Sequence, residues 1–298
     1  MNDLVVLSPE VSDALANRRP VVALETTLVA HGVPGEEGVA VALESERRVR
    51  EAGAVPATVG ILDGAVRVGL GEEELHRFDP AARKVGPRDL AACAVQGAVG
   101  ATTVGGTLAA CRVAGVGFMA TGGLGGVHRG FPAPPDVSAD LGELARCEVL
   151  VVSSGVKSLL DVPATAEALE TLGIPVLGYR TDELPLFYAA RGGPAVSARV
   201  ESAGEAATVA RAHWRLGRRT ALVLGNPPAE SLDDVEPLIE RAVAEAAERG
   251  VSGQGVTPFV LDYLHWESGG RTLRANKRLI ADNAGLAGEV AAAYARAA

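Results

Sequence analysis

The chain alternates short apolar runs with longer amphipathic segments, and that alternation predicts strands and helices in turn. Ser8-Pro9-Glu10 places a capping hydroxyl, a proline suited to the first helical position and an acid in the first turn, which predicts a short helix to about Asn17. Pro20 to Leu24 reads as an apolar strand that ends directly at the polar triplet Glu25-Thr26-Thr27, and a helix is expected from about Glu36 to Glu51. Thr58 to Leu62 and Ala65 to Leu70 flank Asp63-Gly64, a pair suited to a turn with two positive φ angles. A hairpin there makes the sheet mixed. Helices near Arg88 to Gly97 and Val104 to Ala114 precede a strand, Gly117 to Ala120, and a glycine-rich loop, Thr121 to Gly130. Another strand, Glu148 to Ser153, runs into Ser154-Gly155-Val156-Lys157, with helices expected at Ser158 to Leu160 and Pro163 to Leu172. Pro175 to Tyr179 and Thr220 to Leu224 are further strands. Helices at Gly204 to Leu216, Asp234 to Arg249, Pro258 to Trp266 and from Arg271 onward make the last third mostly helical.

With no long linker and no repeat, residues 1–298 read as one α/β domain of three layers, α/β/α, around a mixed, mostly parallel central sheet. Ligands of such sheets lie at the carboxyl ends of the strands, where several of the polar motifs fall.

Composition narrows the function classes. Hydrophobic residues make up 48% of the chain and aromatic ones only 4%, so the core is to be built from Ala, Val and Leu. The net charge of −9 argues against a nucleic-acid surface but leaves room for a local positive pocket. Cys93, Cys111 and Cys147 are odd in number and have no C-x-x-C spacing, so free thiols in a reducing cytosol are expected rather than disulfides or zinc ligands. Met1 to Glu10 carries acids and no apolar core, unlike a signal peptide. Leu90 to Cys111 is uncharged over a length that could span a bilayer, but it is rich in Gly, Thr and Ala and includes Gln96, so buried helices are expected.

Of the 28 Lys and Arg residues only three are lysine: Lys84, Lys157 and Lys277. Arginine cannot act as an amine nucleophile near neutral pH, whereas a desolvated lysine can. Lys157 follows an apolar strand and a Ser-Ser-Gly turn and is expected at the start of a helix, whose dipole and burial would both favour the free amine; the other reading is an exposed helix lysine. Glu25 at a strand end can serve as proton donor or base, or stand in solvent. His31 alone reads as a structural histidine. Asp136, Ser138 and Asp140, at alternate positions after Pro134-Pro135, could turn oxygen ligands toward a hard divalent ion, or Ser138 could simply cap the helix that follows. The glycine-rich loop, with His128 and Arg129, could admit an anion or mark a tight crossover. Lys84, with Arg88 and Asp89, could contact phosphate; Lys277 reads as a solvated face. Asn276 and Asn283 are two turns apart and could face inward together.

Taken together, Leu24 to Gly32, Gly100 to Gly105, Thr121 to Gly130, Asp136 to Leu141, Ser154 to Asp161 and the Asn276 to Asn283 helix resemble the pseudouridine-5′-phosphate glycosidase family, which includes indigoidine synthase A-like proteins. The resemblance implies reversible cleavage of the C–C glycosidic bond of pseudouridine 5′-phosphate to uracil and ribose 5-phosphate, through a Schiff base with ring-opened ribose. It implies that Lys157 forms the imine and Glu25 moves protons. Asp136 would hold one Mn²⁺ per subunit, largely through water. Lys84, Val104, Ser138, Ala139 and Asp140 match substrate-contacting positions, and Thr121, His128 and Asn283 would line the same pocket. It further implies a cytoplasmic homotrimer acting on a small molecule, with no nucleic acid or membrane as partner. An imine-forming lyase or aldolase, a glycosidase for another C-nucleotide, and a non-catalytic sugar-phosphate sensor are the competing readings. The chain departs from the family pattern at Pro34 to Gly38, Gly86 to Asp89 and Ala189 to Gly193, all expected near the ligand entrance.

Overall fold

The computed structural model of the chain describes residues 4–33, 35–130, 136–232, 234–251 and 253–297, so Pro34 and the Pro134-Pro135 pair lie outside the described residues. In chain order the strands are β1 (Val5–Leu7), β2 (Val21–Glu25), β3 (Val55–Leu62), β4 (Ala65–Val68), β5 (Arg83–Val85), β6 (Gly100–Thr102), β7 (Phe118–Ala120), β8 (Leu150–Ser153), β9 (Val176–Tyr179), β10 (Ala198–Val200) and β11 (Leu222–Gly225). The helices are α1 (Pro9–Ala16), α2 (Glu36–Glu51), α3 (Glu72–Leu75), α4 (Leu90–Val95), α5 (Val104–Ala114), α6 (Ala139–Leu144), α7 (Val162–Thr171), α8 (Ala203–Arg215), α9 (Glu236–Glu248), α10 (Val256–Glu267) and α11 (Arg271–Arg296).

All strands join one sheet. Its main path runs β1-β4-β3-β2-β7-β8-β11-β9-β10, and β6 joins β3 while carrying β5 on its other side. Every pairing is parallel except β3 with β4 and β3 with β6, so the sheet is mixed and mostly parallel. Strand periodicity sends alternate side chains to opposite faces. On β2, Val21 and Ala23 enter one core while Val22 and Leu24 enter the other; on β11, Val223 parts from Leu222 and Leu224 in the same way. The first core packs under α1, α5, α6 and α7, and the second under α8 and α11. Helices on both faces of one sheet give the expected three layers.

Several details differ from the sequence reading. No helix forms at Ser158 to Leu160; these residues make a turn, and α7 starts at Val162 behind the Asp161 cap. The expected helix at Arg88 to Gly97 is a tight turn, Pro87–Asp89, followed by the short α4. Strands β1, β5, β6 and β10, three residues each, were not anticipated, because a run of three has no period to read. The uncharged stretch from Leu90 to Cys111 breaks into α4, β6 and α5, and among the described residues no helix is long and apolar enough to cross a membrane. All three cysteines are buried and unpaired.

Helix α11 lies along α2, and two of its glycines make opposite demands. A Cβ on Gly288 would stand 2.7 Å from Ala52 Cβ and 3.1 Å from Val49 O, too close without moving α2. A Cβ on Gly285 would meet only Arg48 Cβ, at an ordinary 3.8 Å. Replacing glycine by alanine inside a helix contributes about 1 kcal/mol, whereas overpacking costs about 1–3 kcal/mol. Gly285→Ala is therefore expected to raise the denaturant midpoint and Gly288→Ala to lower it, in equilibrium unfolding of the two variants side by side.

Candidate active site

The strand ends converge as expected. A cavity of about 340 Å³ opens where Glu25 closes β2, Lys84 lies on β5, Val104 begins α5, and Lys157 follows β8. His128 and Asp136 to Asp140 complete one wall, and Thr257 and Leu261 of α10 reach over another.

Glu25 is placed by a change of partner in the sheet. Strand β2 ends with Glu25 opposite Val59; beyond that point β6 takes its place beside β3, with Ala101 opposite Gly60. The junction is fastened by threonines. Thr26 Oγ1 donates to Val59 O at 2.8 Å and accepts from Thr102 N at 2.9 Å, while Thr102 Oγ1 also donates to Val59 O at 2.7 Å. The Glu25-Thr26-Thr27 triplet is thus one acid for the cavity and two hydroxyls that hold its backbone; Thr27 Oγ1 donates to Ala101 O at 3.3 Å.

The Glu25 side chain is only 5% exposed, and Thr121 Oγ1 donates to its Oε1 at 2.5 Å. Burial pushes its carboxyl above the usual range; Lys157, the Thr121 hydrogen bond and Lys84 pull the other way without cancelling the rise, and Asp140 adds to it. Lys84 is the counterpart. Burial and the neighbouring Lys157 bring its ammonium down to about 8, against the opposing pull of Glu25 and Asp140. Lys157, half-buried, has its backbone N–H bound to Leu124 O at 3.1 Å and its carbonyl bound by Leu160 N at 3.0 Å. No helix begins at Ser158, so the expected helix dipole does not act on this lysine; the charged groups near it are Glu25 and Lys84.

Ser138 and Asp140 prove to be building elements as well as lining. Ser138 Oγ accepts from Asp140 N at 3.2 Å and caps α6, the alternative the sequence left open. Asp140 Oδ1 accepts from Gly105 N at 2.8 Å and Oδ2 from Gly125 N at 2.9 Å, so one buried carboxylate clamps the first turn of α5 to the glycine-rich loop. Val104 and Ala139 contribute apolar lining beside it.

Much of the glycine-rich loop's backbone is engaged within the protein. The N–H groups of Leu124, Gly125, Val127 and His128 are bound to Gly155 O, Asp140 Oδ2, Thr165 Oγ1 and Asp136 O. Its glycines serve close approach: a Cβ on Gly125 would fall 2.3 Å from Ser138 Oγ. His128 faces the cavity with Nδ1 3.7 Å from Asp136 Oδ2. Burial lowers its pKa, with Asp136 opposing and the two lysines reinforcing. Arg129 faces the other way, toward Ser158, Leu160 and Glu236, and is not part of the cavity lining.

Two other expectations are corrected. Thr121 and Asn283 do not line the cavity; they stand behind it. Asn283 Nδ2 donates to Thr121 O at 2.8 Å and Ser154 Oγ at 3.1 Å, and its Oδ1 accepts from Asn226 Nδ2 at 2.9 Å, so the amide supports the residue that holds Glu25. Asn276 is buried on the same helix, as expected. Of the departures from the family pattern, Gly86 to Asp89 do border the cavity, whereas Ala189 to Gly193 border a separate groove behind the Lys157 turn. Lys277 bridges helices through Glu37 at 3.0 Å. Asn226 and the α10 residues were missed. A polar residue straight after the apolar β11 was a signal that could have found Asn226; nothing local marks α10.

For a hard divalent ion, Asp136 is the carboxylate to consider, because both oxygens of Asp140 already accept backbone N–H groups. Among the described residues no cluster of three His, Cys, Asp or Glu side chains forms. The donors present fit an ion that keeps much of its water shell and not one caged by protein.

Residues 10–293 match the family described as indigoidine synthase A like protein. A Streptomyces griseus protein named pseudouridine-5′-phosphate glycosidase is 50% identical, covering 98% of this chain and 93% of its own length. One of the same name from Herpetosiphon aurantiacus is 45% identical, covering 97% of each. Among solved structures, the prealnumycin C-glycosynthase AlnA in complex with ribulose 5-phosphate is 39% identical, with a TM-score of 0.89 over 100% of this chain and 99% of that one. With full-length matches at this level of identity and a superimposable fold, the chain belongs to the indigoidine synthase A-like family of pseudouridine-5′-phosphate glycosidase enzymes.

Proposed function

We propose that this enzyme cleaves the C–C glycosidic bond of pseudouridine 5′-phosphate reversibly, giving uracil and ribose 5-phosphate through an imine on Lys157. The observation that carries the reading is the meeting of a buried Glu25, its carboxyl pushed above the usual range, with Lys157 and a phosphate-suited Lys84 in one cavity. In the proposed sequence the Lys157 amine bonds to C1′ as the C1′–O4′ bond breaks, and Glu25 gives O4′ its proton. The new C1′–N bond leaves the nitrogen positively charged, so it first returns a proton to the Glu25 carboxylate; its lone pair then expels the pyrimidine carbon, which takes that proton from Glu25, and the sugar is left as a protonated imine. Water hydrolyses the imine, returns the amine and releases ribose 5-phosphate. Run backwards, the same steps join base and sugar. Lys84, with the first turn of α5 beside it, binds the phosphate. Asp136 would hold Mn²⁺ or a similar hard cation through its water shell, supplying positive charge near the phosphate or base. A cytoplasmic homotrimer acting on small molecules alone completes the reading; the free, buried cysteines fit a reducing compartment.

A second reading keeps the imine and changes the aglycone. It is favoured by the likeness to AlnA, a C-glycosynthase, and by Pro87 and Arg88 at the cavity's edge, where the family pattern differs.

Borohydride reduction in the presence of ribose 5-phosphate is expected to fix the sugar on Lys157, located by peptide mass mapping. Lys157→Arg keeps the charge but should lose trapping and at least about 1000-fold in turnover. An adduct at Lys84 instead would reassign the nucleophile. Uracil release from pseudouridine 5′-phosphate by the wild type separates the two readings.

Lys84 gives a pH signature. With its pKa brought down to about 8, its charge is lost as pH rises through that value. Wild-type kcat/KM should therefore fall on the alkaline side of 8, by roughly 10-fold if one charge-assisted hydrogen bond to phosphate is lost. Lys84→Arg, which stays charged, should flatten that limb in pH–rate profiles.

Chelation is expected to suppress activity, and added Mn²⁺ to restore it. Asp136→Asn should raise the Mn²⁺ concentration needed for half-maximal activity, read by titration, while borohydride trapping of ribose 5-phosphate persists.

A further inference from the structure

Lys157 stands on a turn with no regular secondary structure to hold it, since α7 starts only at Val162. The turn is also thin. Leu160 lines the active cavity, and with Ser158 it also borders a second cavity of about 350 Å³ on the opposite side. A wall with open space on both faces keeps its shape only if its backbone is tied from the side. Part of this comes from neighbouring chain: Lys157 N binds Leu124 O at 3.1 Å, Asp161 N binds Val127 O at 2.9 Å, and Ser158 Oγ donates to Leu186 O at 2.6 Å.

The carbonyls of Ser158 and Leu160 are served by one side chain. Arg129 Nη2 donates to Ser158 O at 2.7 Å and its Nε to Leu160 O at 3.4 Å. The same Nη2 meets Glu236 Oε1 of α9 at 2.7 Å. The placement follows from extended backbone: His128, bridged to Leu160, faces the active cavity, and the next side chain along points to the back of the wall.

We propose that Arg129 is a positioning residue for Lys157, holding the two carbonyls behind the lysine and so fixing the Cα from which the amine is presented, with Glu236 orienting the guanidinium. A planar fork with five donors can hold two carbonyls and a carboxylate at once, as a single ammonium cannot do in the same geometry. The amine sits on four methylenes, so a displaced Cα moves it away from C1′, and displacements near 1 Å can cost about 100-fold in rate.

The inference rests on the reading of Lys157 as the imine lysine, and one assay separates the two. The rate of borohydride trapping with ribose 5-phosphate, the kcat and the KM are measured for wild type, Arg129→Ala, Arg129→Lys and Glu236→Gln, each normalised to folded protein by circular dichroism. Trapping rate and kcat are expected to fall roughly 10- to 100-fold in Arg129→Ala, with KM within about threefold. Arg129→Lys should recover part of the loss, and Glu236→Gln should fall by only a few fold. If Arg129→Ala does not fold, Arg129→Lys carries the test, because it must still trap more slowly than wild type. Wild-type trapping rates in whichever variant folds would overturn the proposal, even if its melting temperature drops. Absence of trapping in the wild type would instead defeat the reading of Lys157 itself.

Discussion

A carboxyl almost sealed from solvent, facing two lysines, is the constraint around which this molecule is built. Moving an ionised carboxylate out of water is expensive unless it is paired, and moving an ammonium is equally so. Here the cost falls on both partners: burial raises Glu25 and lowers Lys84, so each is biased toward its uncharged form. A carboxyl pushed up and an ammonium brought down in one cavity bring the two titrations toward each other, an arrangement suited to proton traffic between neighbouring groups. Asp140 shows the contrast: a carboxylate equally buried, but with both oxygens bound by backbone N–H groups. The two acids of one cavity are thereby given different partners: backbone N–H groups for Asp140, and the Thr121 hydroxyl with two lysines nearby for Glu25.

Holding such a group in place needs more rigid backbone than a loop supplies. Glu25 sits on a central strand at the point where β6 replaces β2 as the neighbour of β3, and Thr26 and Thr102 share the Val59 carbonyl across that junction. Behind Glu25, Thr121 fixes the carboxyl, Asn283 fixes Thr121, and Asn226 fixes Asn283. Lys157, by contrast, is on irregular chain, and its support comes from the glycine-rich loop, from Leu186 and from Arg129.

Much of this was legible in the chain itself. The alternation of apolar runs and amphipathic segments gave the three layers, the Asp63-Gly64 turn gave the antiparallel β3–β4 pair, and the scarcity of lysine marked Lys84 and Lys157. What failed did so for identifiable reasons. Three-residue strands carry no period. The Ser158 to Leu160 segment looks helical because Ser is a good helix cap and Leu a good helix former, but side-chain ties from Arg129 and Ser158 to distant carbonyls win over the local preference. The departure at Ala189 to Gly193 was expected near the ligand entrance, yet Ala189, Arg191 and Gly192 border a separate groove.

The glycine-rich loop is the most instructive of these. Its composition is compatible with an anion site, and composition cannot say where the backbone N–H groups go. In the fold four of them go to Asp140, Thr165, Gly155 and Asp136, and Gly125 buys the close approach of Ser138 and Asp140. The loop is therefore a spacer of minimal thickness: it lets the start of α6, the cap of α7 and the Lys157 turn pack against one strip of chain. That strip is what brings Asp136, His128 and Lys157, far apart in sequence, to the same cavity wall. Bulk at Gly125 would push Ser138 and Asp140 off the loop, and bulk at Gly126 would push Thr165 off it, so the wall keeps its place only while both stay glycine.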